Sequence, residues 1–236
     1  GESFGRGGAA CRPLVPREGL SESLIDPVLA RLAALGATVR FGSRLRALET
    51  SQTRVMALDF DDGRVELGGH DAVVLAVTAP VAARLLPELR VPDEFRAILN
   101  AHYRIAAPVD APLFVGLVGG TAEWVFRKRE VLSVTVSAAD RLMDMAAEEL
   151  ARLLWRDVVR AYGVTAEPMP PWQIVKERRA TFAATPAQVA RRSKTRTARE
   201  NLMLAGDWTD TGLPATIEGA IRSGFAAAAA LTSQNT

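Results

Sequence analysis

Residues 201–231 constrain the fold more than any other stretch. Asn201-Leu-Met-Leu-Ala205 is an apolar run of strand length, and Gly206-Asp207 ends it. Pro214 then precedes an Ala-rich segment, Ala215–Leu231, whose small residues Gly219, Ala220, Ser223 and Gly224 lie along one face, so another backbone can approach closely. A strand running through an acidic residue into a helix start leaves first-turn N–H groups without intrahelical partners and places a partial positive charge there. Such a site suits an anion, or a carbonyl that gains negative charge. Asp207 adds an acceptor for a sugar or ribityl hydroxyl. A phosphate, a nucleotide or a reduced ring system satisfies this chemistry. A routine strand–loop–helix connection with Asp207 and Thr216 as capping groups explains the same residues.

A second strand follows from Ala72-Val-Val-Leu-Ala-Val77, an apolar run without alternation, the pattern of a strand buried on both faces. Upstream, Ser21 or Ser23 starts a helix to about Leu35, with Leu24, Ile25, Val28, Leu29 and Leu32 at helical spacing and Gly36 as its left-handed stop. Short β-like runs occupy Thr38–Phe41, Arg44–Leu48, Arg54–Phe60 and Arg64–Leu67, and Asp61-Asp62-Gly63 makes a hairpin turn. After Pro80 the pattern changes. Residues 81–105 read as short helical pieces broken by Pro87 and Pro92, followed by extended segments near Leu113–Val118 and Trp124–Val136. From Asp140 or Leu142 to Tyr162 the spacing predicts an amphipathic helix closed by Gly163, and Trp172–Arg179 reads as a strand.

The expected fold is therefore α/β and discontinuous. Residues 1–79 and 195–236 form one part and bracket an α+β insertion at 80–194.

Composition narrows the function. The 236 residues are 48% apolar, which excludes disorder, and 29 Lys+Arg against 27 Asp+Glu leave a formal charge of +2, so nucleic acid is not the expected partner. One cysteine, Cys11, excludes a disulfide framework and, with only His70 and His102, argues against structural zinc. No apolar run approaches the ~18 residues a spanning helix needs, and the start does not read as a signal peptide. A cytoplasmic location is expected. The missing initiator Met suggests a start inside a longer protein. Gly5, Gly7 and Ala10 fit G-x-G-x-x-A, but no buried strand precedes them and Pro13 and Pro16 follow, so the match is rejected as a dinucleotide fingerprint.

Three segments carry a resemblance: Pro13-Leu-Val-Pro-Arg-Glu-Gly-Leu-Ser-Glu-Ser-Leu-Ile-Asp-Pro27, Glu177-Arg-Arg-Ala-Thr-Phe-Ala-Ala-Thr-Pro-Ala-Gln188, and Ala205–Gly224. The last resembles the C-terminal FAD-binding segment of the flavin amine oxidase and phytoene desaturase superfamily. Together, and in this order, they resemble the squalene-associated hydroxysqualene dehydroxylases. The resemblance covers essentially the whole chain.

It implies a partial Rossmann-like, glutathione-reductase-type FAD-binding domain at 1–79 and 195–236, with a substrate domain inserted at 80–194. It implies that Gly206 lets the backbone approach FAD and that Asp207 binds its ribityl or pyrophosphate side. Trp208, inside the motif, borders the flavin. Backbone N–H groups at Ala215, Thr216 and Ile217 face the pyrimidine edge, and the backbone of Leu45 meets adenine. Gly19 and Leu20 border the substrate cavity, and Phe182 lines an isoprenoid pocket, with core packing as its alternative. The family's opening strand–G-x-G-x-x-G–helix does not appear here in its proper context, so the chain resembles a C-terminal portion.

Other candidates are weaker. Glu177 and Arg178-Arg179 face either the cavity or solvent. Trp172 reads as ordinary burial, His102 as structural or exposed, and the Arg152-Arg156-Arg160 column as a solvated helix face. No catalytic side chain is named, because flavin performs the hydride chemistry itself. The implied activity is reductive removal of the hydroxyl of hydroxysqualene. The alternatives are a carotenoid or phytoene desaturase, an amine oxidase, and a silent lipid-binding fragment or a subunit completed by a partner chain. An isoprenoid substrate further suggests peripheral contact with the inner membrane.

Overall fold

The computed structural model describes residues 7–8, 12, 14–16, 18–165 and 167–233. Gly5, Ala10, Cys11 and Pro13 lie outside them. The chain divides into two compact units, 1–39 with 98–176 and 40–97 with 177–236. The chain passes between the units three times, at 39/40 in a loop and at 97/98 and 176/177 within two long strands.

In the first unit, a π-helical turn at Ser21–Ile25 leads into α1 (Asp26–Ala34). Pro27 is tolerated in its first turn, and Gly36 takes a left-handed φ of 79° just beyond it, as the sequence predicts. The core is a helix on a sheet. Strands β6 (Phe114–Gly116), β7 (Trp124–Lys128) and β8 (Val131–Val136) are antiparallel neighbours. The extended segment expected at 124–136 is thus a hairpin, turned at Arg129 with a φ of 42°. No Gly or Asn marks that turn, so it was not legible.

Strand β5 (Phe95–Arg104) pairs antiparallel with β8, so the reading of 81–105 as helical pieces holds for 81–85 and is corrected for 95–104. Ala97, Leu99, Ala101 and Tyr103 are buried at a period of two, and small alanines obscured that alternation. Helix α3 (Ala147–Tyr162) buries Leu150, Leu154, Trp155 and Val158, and ends at Gly163 with a φ of 64°. The Tyr103 and Trp155 rings meet at 5.0 Å, and the Tyr103 hydroxyl donates to the Ala151 carbonyl at 2.6 Å.

The second unit contains the antiparallel meander β1 (Leu45–Thr50), β2 (Val55–Phe60) and β3 (Gly63–Glu66). Its β2–β3 turn falls at Asp61-Asp62, as expected, whereas Thr38–Phe41 forms no strand. Strands β4 (Val73–Leu75) and β10 (Leu202–Leu204) pair in parallel. The expectation that β4 is buried on both faces is corrected. Val73 and Leu75 are buried, but Val74 is 40% exposed, and β10 is the strand hydrogen-bonded to β4 among the described residues.

Helix α2 (Ala79–Leu85) follows β4, and β9 (Trp172–Phe182), which begins in the first unit, leads to α4 (Pro186–Val189). Helix α5 (Ile217–Thr232) packs through Gly219, Ser223, Ala227 and Ala230. Met203 and Ala205 form a core cluster with the last two. Gly224 lies off this face and is exposed.

Candidate functional site

The turn after β10 is built around Trp208. Its indole is 2% exposed, and Nε1 donates to the Val77 carbonyl at 2.7 Å, which ties the end of β10 to the segment after β4. Gly206 has a φ of 144°. A Cβ there would lie 2.6 Å from Trp208 Nε1 and 3.3 Å from the Val77 carbonyl. The glycine is thus required first by the packed indole. The Gly206 N–H donates to Ser223 Oγ at 2.7 Å, a contact that the small-residue face of α5 makes possible.

The loop that begins at Gly206 carries Asp207 to a cavity of about 250 Å³, lined by Thr78, Phe95, Glu177, Arg179, Thr181, Phe182, Asp207 and Trp208 among others. Burial pushes the Asp207 carboxyl above the usual aspartate range, against the lowering effect of backbone N–H groups at Asp207 and Trp208 and of the Arg192 charge. A cavity of this size is below the ~300 Å³ at which drug-sized sites begin. It suits one portion of a large cofactor, not the whole.

Of the sequence-derived site residues, the structure brings Asp207, Trp208 and Phe182 to this cavity. Phe182 is 5% exposed and belongs to the core of its unit, the packing alternative, and it also lines the cavity. Glu177 and Arg179 also line the cavity, and both are exposed, so the solvated edge and the cavity edge are the same place. Thr78 and Phe95 were missed. Thr78 precedes Pro80 of α2, and that Pro signals a helix start as readily as a domain boundary.

Ala215, Thr216 and Ile217 are not among the lining residues. Thr216 caps α5 by accepting from the Gly219 N–H at 3.0 Å, and Ile217 is 53% exposed, so the helix tip is not sealed by other side chains. Leu45 begins β1 and packs its side chain on the unit's core. Gly19 and Leu20 belong to the other unit. The Gly19 carbonyl accepts from the Ser23 N–H, and Leu20 is exposed. Trp172 is half-buried at the start of β9. His102 lies on β5, not between helices, with Nδ1 3.0 Å from Ser133 Oγ. Burial and then the Lys128 charge hold its pKa below the ordinary value.

Arg192 was also missed as a site element. Its guanidinium donates to the carbonyls of Asp207 at 3.2 Å, Trp208 at 3.4 Å, Leu213 at 2.7 Å and Thr209, and to Thr211 Oγ1 at 3.0 Å. It sits 5.1 Å from the Phe182 ring centroid. Only a run of basic residues was visible in the sequence there. Among the described residues no group of three or more His, Cys, Asp or Glu could hold a metal, and no helix is long and apolar enough to cross a membrane.

The lining groups fit a hydroxyl-bearing, partly aromatic portion of a flavin dinucleotide. A half-buried carboxylate faces the cavity, aromatic rings wall it, and the loop leads to a helix start at α5. The family model for flavin containing amine oxidoreductases matches residues 2–109 and 117–232, and the chain belongs to that family. Within it, the chain is 53% identical to a hydroxysqualene dehydroxylase of Sinorhizobium fredii, over 100% of this chain and 56% of that protein. It is 54% identical to a hydroxysqualene dehydroxylase of Rhodopseudomonas palustris, over 96% of this chain and 54% of that one. The chain thus spans a little over half the length of these relatives.

Among solved structures, a putrescine oxidase double mutant matches with a TM-score of 0.67 and 18% identity, over 89% of this chain and 53% of its own. Cyclohexylamine oxidase from Brevibacterium oxydans matches with a TM-score of 0.57 and 15% identity, over 82% and 49%. At these identities the likeness shows a shared mixed α/β fold.

Proposed function

We propose that this chain forms part of an FAD-dependent oxidoreductase that removes the hydroxyl of hydroxysqualene reductively to give squalene. The observation that carries the reading is the 53% identity to a hydroxysqualene dehydroxylase along the whole chain. The finer architecture follows from it. The parallel β4–β10 pair, the meander and α5 belong to a Rossmann-like, glutathione-reductase-type FAD-binding domain at 1–79 and 195–236. The segment 80–194, rich in Leu, Val, Ala and Met, holds the isoprenoid.

When bound, reduced FAD would supply both the hydride that replaces the hydroxyl and the proton with which the hydroxyl leaves as water, and would be left oxidised. This chain's residues bind, orient and exclude water. The Asp207 carboxylate accepts from a ribityl hydroxyl, and burial makes that hydrogen bond stronger than it is in water. Trp208 and Phe182 present apolar walls. The backbone N–H groups of Ala215, Thr216 and Ile217, at the entry to α5, face the pyrimidine edge, where negative charge develops. Leu45 meets adenine, and Gly19 and Leu20 border the substrate. A water-insoluble substrate makes peripheral membrane contact part of the proposal, checked by co-sedimentation with liposomes.

The test uses the complete gene product. It is purified, its visible flavin spectrum is recorded, and it is mixed with hydroxysqualene after anaerobic reduction of the flavin, and with phytoene or a simple amine while the flavin is oxidised. Squalene from the first alone supports the reading. Turnover of phytoene or the amine instead assigns one of the alternatives. Absence of both flavin and turnover favours the silent lipid-binding reading.

A further inference from the structure

One guanidinium holds most of the loop between β10 and α5. The backbone from Asp207 to Leu213 folds its carbonyls inward, and Arg192 meets four of them together with Thr211 Oγ1. Nη1 serves Leu213 and Nε serves Trp208, while Nη2 is shared among Asp207, Thr209 and Thr211. The plane of the guanidinium is fixed on its other side by the Phe182 ring. The chain flanking Arg192 is anchored as well. Ser193 Oγ donates to the Arg90 carbonyl at 2.8 Å, the Arg191 Nε donates to the Val91 carbonyl at 2.8 Å, and the Asp210 N–H donates to the Ser193 carbonyl at 2.9 Å.

Carbonyl dipoles turned toward one centre repel each other unless a cation sits among them, and a planar five-donor cation matches this set where an ammonium does not. We infer that Arg192 is a positioning residue for the cofactor: it sets the conformation of the Asp207–Leu213 loop, and so the direction in which the Asp207 carboxylate meets a ribityl hydroxyl. This rests on the FAD reading above. Arg192 need not touch FAD, since its guanidinium is spent on the loop.

The test compares FAD dissociation constants and visible flavin spectra of the complete protein carrying Arg192→Met, Arg192→Lys or Thr211→Val with the unsubstituted protein. Asp157→Ala, a change in the other unit, reports the effect of lost stability alone. Arg192→Met is expected to weaken FAD binding tenfold or more, about the effect of losing one charge-assisted hydrogen bond, and to shift the flavin band. Arg192→Lys restores part of the affinity, because its charge remains but its fork does not. Thr211→Val, which removes one acceptor and keeps the backbone, weakens binding by roughly threefold. If Arg192→Met does not fold, the Lys and Val variants decide the matter. Variants that melt lower but bind FAD with unchanged affinity and spectrum overturn the inference and leave Arg192 a purely structural tie. An unsubstituted protein that takes up no FAD overturns the FAD reading itself and this inference with it.

Discussion

Each unit pins a loop with a charged side chain, and the two solutions are opposites. In the first, the Asp157 carboxylate on α3, 8% exposed, accepts from the N–H groups of Thr121 and Ala122, both at 2.8 Å, and from Arg160 at 3.0 Å. Gly120 lies so close that a Cβ would meet Arg160 Nη2 at 2.7 Å. In the second, the Arg192 cation gathers carbonyls. An anion collecting donors and a cation collecting acceptors are equivalent ways to satisfy buried backbone. They differ in what lies beside them. Thr121, Ala122 and Arg160 do not line the cavity to which the Arg192 loop presents Asp207. The first tie is architecture. The second, on the reading proposed above, also orients a binding group.

Substitutions in the two regions should therefore separate stability from cofactor retention. Gly206→Ala is expected to have the largest effect. It combines a strained φ with a collision against Trp208, and it should cost about 3 kcal/mol or more and abolish flavin retention, read from melting temperature and absorbance together. Asp157→Ala leaves two N–H groups unsatisfied, and should cost about 2–4 kcal/mol by chemical denaturation with the FAD dissociation constant unchanged.

Asp207→Ala should do the reverse. Flavin is lost, but the cofactor-free protein melts no lower. Burial raises this carboxyl's pKa, so its ionised form costs folding free energy as pH rises through the aspartate range, and Ala removes that cost. Tyr103→Phe removes the bond to the Ala151 carbonyl and should cost about 1 kcal/mol without touching flavin.

The smallest effect concerns pH. His102 binds its proton more weakly in the folded chain than in the unfolded one, chiefly through burial. Its contribution is complete above the ordinary histidine pKa and is lost as pH falls through that value toward the lowered one. The urea midpoint should fall between about pH 7.5 and 5.5, and His102→Gln should flatten that slope.

The sequence showed the elements with strong local chemistry. Helix α3 announced itself by its apolar stripe and Gly163. Turn Asp61-Asp62 did so by its residues, and the Ala205–Gly224 motif by its order. What stayed hidden depended on partners distant in sequence. Strand β5 was masked because Ala97 and Ala101 give a weak alternating signal, and their burial shows only in the folded sheet. Arg192 looked like one of several loop cations, since its five acceptors lie 15–21 residues away and are mostly backbone. Gly206 was assigned to cofactor approach, while the nearest obstacle to a side chain is Trp208, two residues on.

Anaerobic single turnover of the reduced complete protein with hydroxysqualene tests the central claim most directly. The account predicts that the visible flavin band returns in step with squalene, one squalene per flavin, and that Asp207→Ala, unable to retain the flavin, shows neither. A protein that retains flavin in the Asp207→Ala form, or whose reduced flavin stays reduced while hydroxysqualene persists, would contradict it.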